Sequence, residues 1–233
     1  MSMLKAPRIS RRQQLREDQL ATAAAASVGF FEEHRNQLIG VAVGLLVIIA
    51  GAFAYSLWQN SRDTEAAEML GNILTTFEQG QLAEALDGTA DTPGLIEIAD
   101  RFGSTATGNL ATFYAADALY QLGRFDEALE YFESFDVGGD ILGASALAGQ
   151  AAVHEQQGDN AEAAQLFRRA AAAYDSPATT PDYLMSAGRN YEAAGDAAEA
   201  EEVYEQFLDD YGDTPNATLV EALMARAEAG GGN

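Results

Sequence analysis

One ten-residue pattern occurs three times in this chain, and a chain that repeats itself at a near-constant interval is built to fold as stacked copies of one unit. GRFDEALEYF runs from Gly123 to Phe132, GDNAEAAQLF over 158–167 and GDAAEAEEVY over 195–204. The glycines Gly123, Gly158 and Gly195 stand 35 and 37 residues apart, and Ala128, Ala163 and Ala200 keep those intervals, as do Phe132, Phe167 and Tyr204. A period near 34 residues is that of helix-turn-helix units. The half before each glycine is helical by spacing: Leu184, Ala187, Gly188 and Tyr191 mark one apolar face,. Leu147, Gln150, Ala151 and His154 take the same places before Gly158, and Thr112, Ala115, Ala116 and Leu119 do so before Gly123.

Each element of the pattern has a physical task. Glycine ends the first helix because the position after it needs a left-handed backbone. Alanine marks where the two helices cross, since a larger side chain would hold them apart. The ring one turn later fills the groove between neighbouring hairpins. Asp159-x2-Glu162 and Asp196-x2-Glu199 have the form of capping boxes at the start of the second helix,.

A fainter copy precedes these three: Gly80 and Ala85 keep the five-residue offset, and its long second helix is displaced to LIEIADRF, 95–102. A last helix, TLVEALMARAEA at 218–229, has no partner after it and would cap the stack. Pro93, Pro177, Pro181 and Pro215 all follow Ser or Thr, a helix-start signal,. The pattern over roughly 65–230 resembles the tetratricopeptide repeat (TPR) family. The unit from Leu184 to Pro215 carries L-x2-A-G-x2-Y, then A-x3-Y, then P, with that proline later than the family's usual place. The resemblance implies a right-handed stack of about four helical hairpins with a concave binding groove.

Ahead of the repeats, residues 38–58 read LIGVAVGLLVIIAGAFAYSLW, without a charge. At roughly 1.5 Å per residue such a helix covers about 30 Å, the thickness of a bilayer's hydrocarbon core. Tyr55 and Trp58 stand at its distal end, where amphipathic rings favour the headgroup level,. A cleaved leader is the rival reading, since Ala52-Phe53-Ala54 has a small-x-small form,. It would need a 37-residue n-region carrying four acids, and the apolar run continues past the cut. An uncleaved anchor is the expectation. Gly40, Gly44 and Gly51 fall within about 40° of each other on the helix and offer a small-residue face to a partner span,.

Charge is divided along the chain. Residues 1–60 hold six bases and four acids, a net +2, while the remainder holds seven bases and thirty-two acids, a net −25. Bases concentrated before the span place the tail 1–37 in the cytoplasm and the repeats, 59–230, on the exported side. The acidic surface repels nucleic-acid phosphate. It fits solubility in high salt, Lys5 being the one lysine, and it equally fits a face for a basic partner,. The tail segment SRRQQLREDQLATAAAA has the form of an amphipathic helix on membrane lipid,.

The layout of short tail, Phe30-Phe31-Glu32-Glu33 before the membrane, one span and acidic exported repeats is similar to the bacterial YfgM-type family. That resemblance implies an ancillary subunit of the Sec translocon in the inner membrane, in contact with a membrane-anchored periplasmic chaperone. The alternative is a structural subunit of another envelope or membrane-protein assembly.

The sequence has no motif for chemistry. It has no cysteine and two histidines, His34 and His154, the latter in the packing slot that Tyr191 fills in the last repeat. No H-x3-H, phosphate loop or G-x-S-x-G occurs,. Asp209, Asp210 and Asp213 lack the twelve-residue loop and closing glutamate of a calcium site,. The reading is all-α and non-catalytic, without cofactor, metal or small-molecule substrate. Its partners are proteins, met through groove residues Asn109, Asp117, Gln121, Gln150, Gln157, Arg189 and Asn190, chosen as polar positions on the first helices.

Overall fold

A computed structural model describes residues 34–230 and is all-α. The chain divides into two compact units between Trp58 and Gln59. The first helix, α1 (Arg35–Glu78), runs through both. Its N-terminal part is long and apolar enough to cross a membrane and is not buried among the described residues.

In the second unit the helices follow as α2 (Leu82–Asp87), α3 (Leu95–Phe102), α4 (Ala106–Gln121), α5 (Phe125–Ser134), α6 (Ile141–Gln157), α7 (Asn160–Ala173), α8 (Thr180–Ala194), α9 (Ala197–Tyr211) and α10 (Ala217–Gly230). Pairs α4/α5, α6/α7 and α8/α9 are the three repeats as hairpins, and α10 packs on the last. The displaced helix 95–102 is α3, at the expected bounds.

The recurring glycines work as their spacing predicts. Gly123, Gly158 and Gly195 have φ of 75°, 85° and 90°, and Gly80 has 76°. At each, the glycine N–H reaches back three residues and the next N–H reaches back five. Gly158 thus donates to Glu155 O at 3.1 Å and Asp159 to His154 O at 2.9 Å. Four copies of one doubly bonded turn set the same helix-to-helix angle. The crossing alanines Ala85, Ala128, Ala163 and Ala200 are wholly buried, and the rings Phe132, Phe167 and Tyr204 nearly so.

The capping boxes do not form. Asp159 and Asp196 stand at the N-cap positions of α7 and α9, yet neither side chain accepts a capping bond. The reason is the turn itself, which holds them at ψ of 59° and 68°. An N-cap side chain reaches the N2 or N3 amide from an extended backbone. That backbone occurs at Thr105 and Asp140, with ψ of 160° and 179°. Thr105 Oγ1 accepts from Gly108 N at 3.0 Å and Asp140 Oδ1 from Gly143 N at 2.9 Å. Asp140→Ala should therefore cost about 1 kcal/mol in urea unfolding, while Asp159→Ala and Asp196→Ala should each cost only a few tenths. Of the four prolines among the described residues, Pro181 alone lies inside the first turn of a helix. Pro93 and Pro215 precede their helices by two residues and Pro177 by three, where they shape the connecting turns instead.

The interior of this unit is two apolar clusters that share α6. Ala146 and Val153 of α6 belong to the cluster built on α1 to α5, from Ala66 to Phe135. Leu147 and Ala151 of the same helix belong to the cluster running to Ala227. Each hairpin packs on its neighbours alone, which is how a solenoid extends its core.

Candidate functional site

Because α4, α6 and α8 end in the same turn, equal offsets from their closing glycines mean equal positions around the helix. Ten residues before the glycine stand Phe113, Ala148 and Met185, and six before stand Asp117, Ala152 and Arg189. Arg189 is exposed and the other five are half-buried, so these two rows form a partly open face along the first helices. The helices are neighbours in that order: α4 packs on α6, and Ser145 Oγ of α6 lies 3.4 Å from Tyr183 Oη of α8. Across this face the side chains pass from an aromatic ring beside an acid, over two alanines, to a methionine beside an arginine.

The polar residues expected to line the groove divide into two sets. Asn109 grips the loop after α5, donating Nδ2 to Asp136 O at 3.2 Å and accepting from Asp136 N at 2.8 Å. Gln150 donates to Phe132 O at 3.0 Å and Gln157 to Asp126 Oδ1 at 2.9 Å, tying α6 to α5. Asn190 is 2 % exposed and donates to Ser186 O. Asn109, Gln150 and Gln157 spend their hydrogen bonds holding separate elements together, and Asn190 is buried with its bond made along its own helix. Asp117, Gln121 and Arg189 reach solvent. Gln121 donates to Asp117 Oδ2 at 2.9 Å, and burial holds the Asp117 carboxyl above its ordinary value against that bond. Among the described residues, no atom lies within 4 Å of where a Cβ would stand on Gly40, Gly44 or Gly51.

A polar constellation at the C-terminal end escaped the sequence pattern. Arg226 of α10 makes a bidentate pair with Glu192 of α8, at 2.9 and 2.5 Å. Tyr204 of α9 donates its hydroxyl to Glu192 Oε2 at 3.0 Å. The hydrogen bonds from Arg226 hold the Glu192 carboxyl below the usual glutamate range, with Tyr204 adding to them against desolvation. Burial, then the Glu192 charge, pushes the Tyr204 phenol well up. A group whose folded pKa is depressed gives stability above its unfolded pKa and loses it as pH falls through the folded one. Acid should therefore loosen α10 before the rest of the stack, seen as faster amide exchange over 217–230, and Glu192→Gln should abolish that pH dependence. Arg189 and Arg226 line one open cleft of about 460 Å³ with Glu192. No spacing rule links 192, 204 and 226, so only packing could reveal them.

Among the described residues no three His, Asp or Glu side chains gather as for a metal ion. Asp209, Asp210 and Asp213 are exposed.

A tetratricopeptide repeat-like domain model matches residues 29–135, and tetratricopeptide repeat models match 142–177 and 182–214. This chain carries TPR repeats. Among solved structures it is similar to the nearly identical TPR-like repeats of a Podosopora anserina protein described as a kinesin light chain. Identity is 18 %, TM-score 0.55, with 73 % of this chain and 88 % of that chain covered. A point variant of that protein matches to the same degree. At this identity the likeness concerns the fold. No curated protein matches the chain. TPR domains are protein-interaction scaffolds, and nothing found in the chain points to an enzyme.

Proposed function

We propose that the chain is a non-catalytic, membrane-anchored TPR adaptor of the bacterial envelope. The observation that carries this reading is an uncharged 21-residue stretch, 38–58, ahead of the repeats, that is long and apolar enough to cross a membrane and is not buried among the described residues. A span of that kind fixes a binding module at a membrane surface. In this reading residues 1–37 are cytoplasmic, the repeats are periplasmic, and Gly40, Gly44 and Gly51 receive a small-residue face of a partner span. The partners are the Sec translocon, met through the span, and a periplasmic chaperone, met through the TPR groove. The arginine bias before the span and the resemblance in layout support this assignment.

The test is affinity purification of the full-length protein from native membranes in mild detergent, with mass spectrometry of the co-purifying chains. Translocon subunits and a periplasmic foldase in stoichiometric yield are expected. Recovery of a different stable complex, with translocon subunits at background, sinks this assignment and leaves a structural subunit of that complex in its place.

A further inference from the structure

The two rows on the first helices carry an acid at one end and an arginine at the other. The unit from 59 to 233 has seven arginines; Arg62, Arg101, Arg124, Arg168 and Arg226 each contact a carboxylate, a backbone carbonyl or a ring, which leaves the exposed Arg169 of α7 and Arg189 of α8 without a carboxylate among the described residues. Arg189 has only a 3.3 Å contact from Nη2 to Ser186 Oγ, despite thirty-two acids in the same unit. Its cleft holds two guanidinium groups against one carboxylate, a cationic spot on an anionic domain.

Asp117 is the counterpart. It is half-buried beside Phe113 and Tyr114, one turn before it on α4, and its one hydrogen-bond partner is the neutral Gln121. Desolvated charge without a counter-charge is costly, and a cation from outside would offset that cost. The rings add an aromatic surface that favours a cation further. Between the two lies Ala152 at the same helical position, with Ala148 one turn before it, a trough with room for a main chain.

We propose that this face binds an extended segment of a protein partner, with a Lys or Arg on Asp117 and an acidic group on Arg189. This rests on the TPR groove being the partner-binding surface. Two steps from one first helix to the next separate the rows' ends, and each is at least the about 8–10 Å of directly packed helices. At about 3.3 Å per extended residue, the two charges of the ligand lie about five or more residues apart. The order is directional: the basic end lies toward α4 and the acidic end toward α8. A uniformly basic ligand, which the net charge alone would suggest, meets Arg189 and is disfavoured.

The full-length protein in lipid nanodiscs is used to select from a displayed random dodecapeptide library, with empty nanodiscs as background. Enriched peptides should pair a basic with an acidic residue at that spacing. Asp117→Asn should lower enrichment of the basic residue about tenfold and leave the acidic one, and Arg189→Gln should do the reverse, as expected for hydrogen bonds to charged groups. Asp117→Asn keeps side-chain size and Arg189 is exposed, so both variants should melt as the parent does. Peptides that enrich without this charge pair, or keep it in both variants, overturn the proposal and leave the groove as a binding surface. No enrichment above empty nanodiscs overturns the groove reading itself.

Discussion

Gly149→Ala and Gly188→Ala should each destabilise the protein by about 2–3 kcal/mol, although both glycines lie inside helices. On helix propensity alone, glycine to alanine gains about 0.5–1 kcal/mol. Packing reverses the sign. A Cβ on Gly149 would stand 2.4 Å from Phe132 Cζ, and one on Gly188 would stand 2.2 Å from Tyr204 Cε1. Both rings are nearly or wholly buried, at 3 % and 0 % exposure, and Phe132 also packs edge-on against Phe113, so neither can swing aside. Urea unfolding of each variant measures the cost. Gly149→Ala combined with Phe132→Leu should recover much of the loss relative to Phe132→Leu alone, because the shorter side chain vacates the contested volume. A stabilising Gly188→Ala would show that the ring at 204 does not sit on α8.

Tyr204→Ala should cost about 3–5 kcal/mol, the range for removing a large buried ring. The loss has two parts. The ring fills the space over Gly188, and its hydroxyl shares Glu192 with Arg226. Tyr204→Phe isolates the second part and should cost about 1 kcal/mol, since it removes one hydrogen bond while keeping the packing. Because Arg226 still holds Glu192, amide exchange over α10 should rise in the alanine variant and stay near that of the parent in the phenylalanine variant. Equal losses for the two would place the whole effect in the hydroxyl and contradict the packing argument.

These two sites show why the repeat was readable while its fastenings were not. Gly123, Ala128 and Phe132 each answer a demand made within about ten residues of chain: a left-handed turn, a close crossing, a filled groove. Such demands recur in every copy and appear as a period. Asp159 and Asp196 met the composition rule for a cap but not its geometry, because the preceding glycine turn had already set their backbone. Asn109, Gln150, Gln157 and Asn190 look like free polar positions on a helix wheel. Asp136, Phe132 and Asp126, the partners of the first three, are reached only once the chain has folded around them, and it is packing that buries Asn190.

The sequence by itself determined the class of the chain: the three recurring hairpins and their order, the turn at each glycine, and an uncharged segment long enough to cross a membrane. Those follow from local backbone sterics and from the period of apolar residues, which need no knowledge of distant neighbours. Tertiary structure alone decided which polar groups remain available. Burial, and the pairing of Glu192 with Arg226 across 34 residues, depend on which helix faces come together. The same stacking brings Asp117, Ala152 and Arg189 into one row, since residues 35 and 37 positions apart become neighbours only when identical turns set successive helices in the same phase.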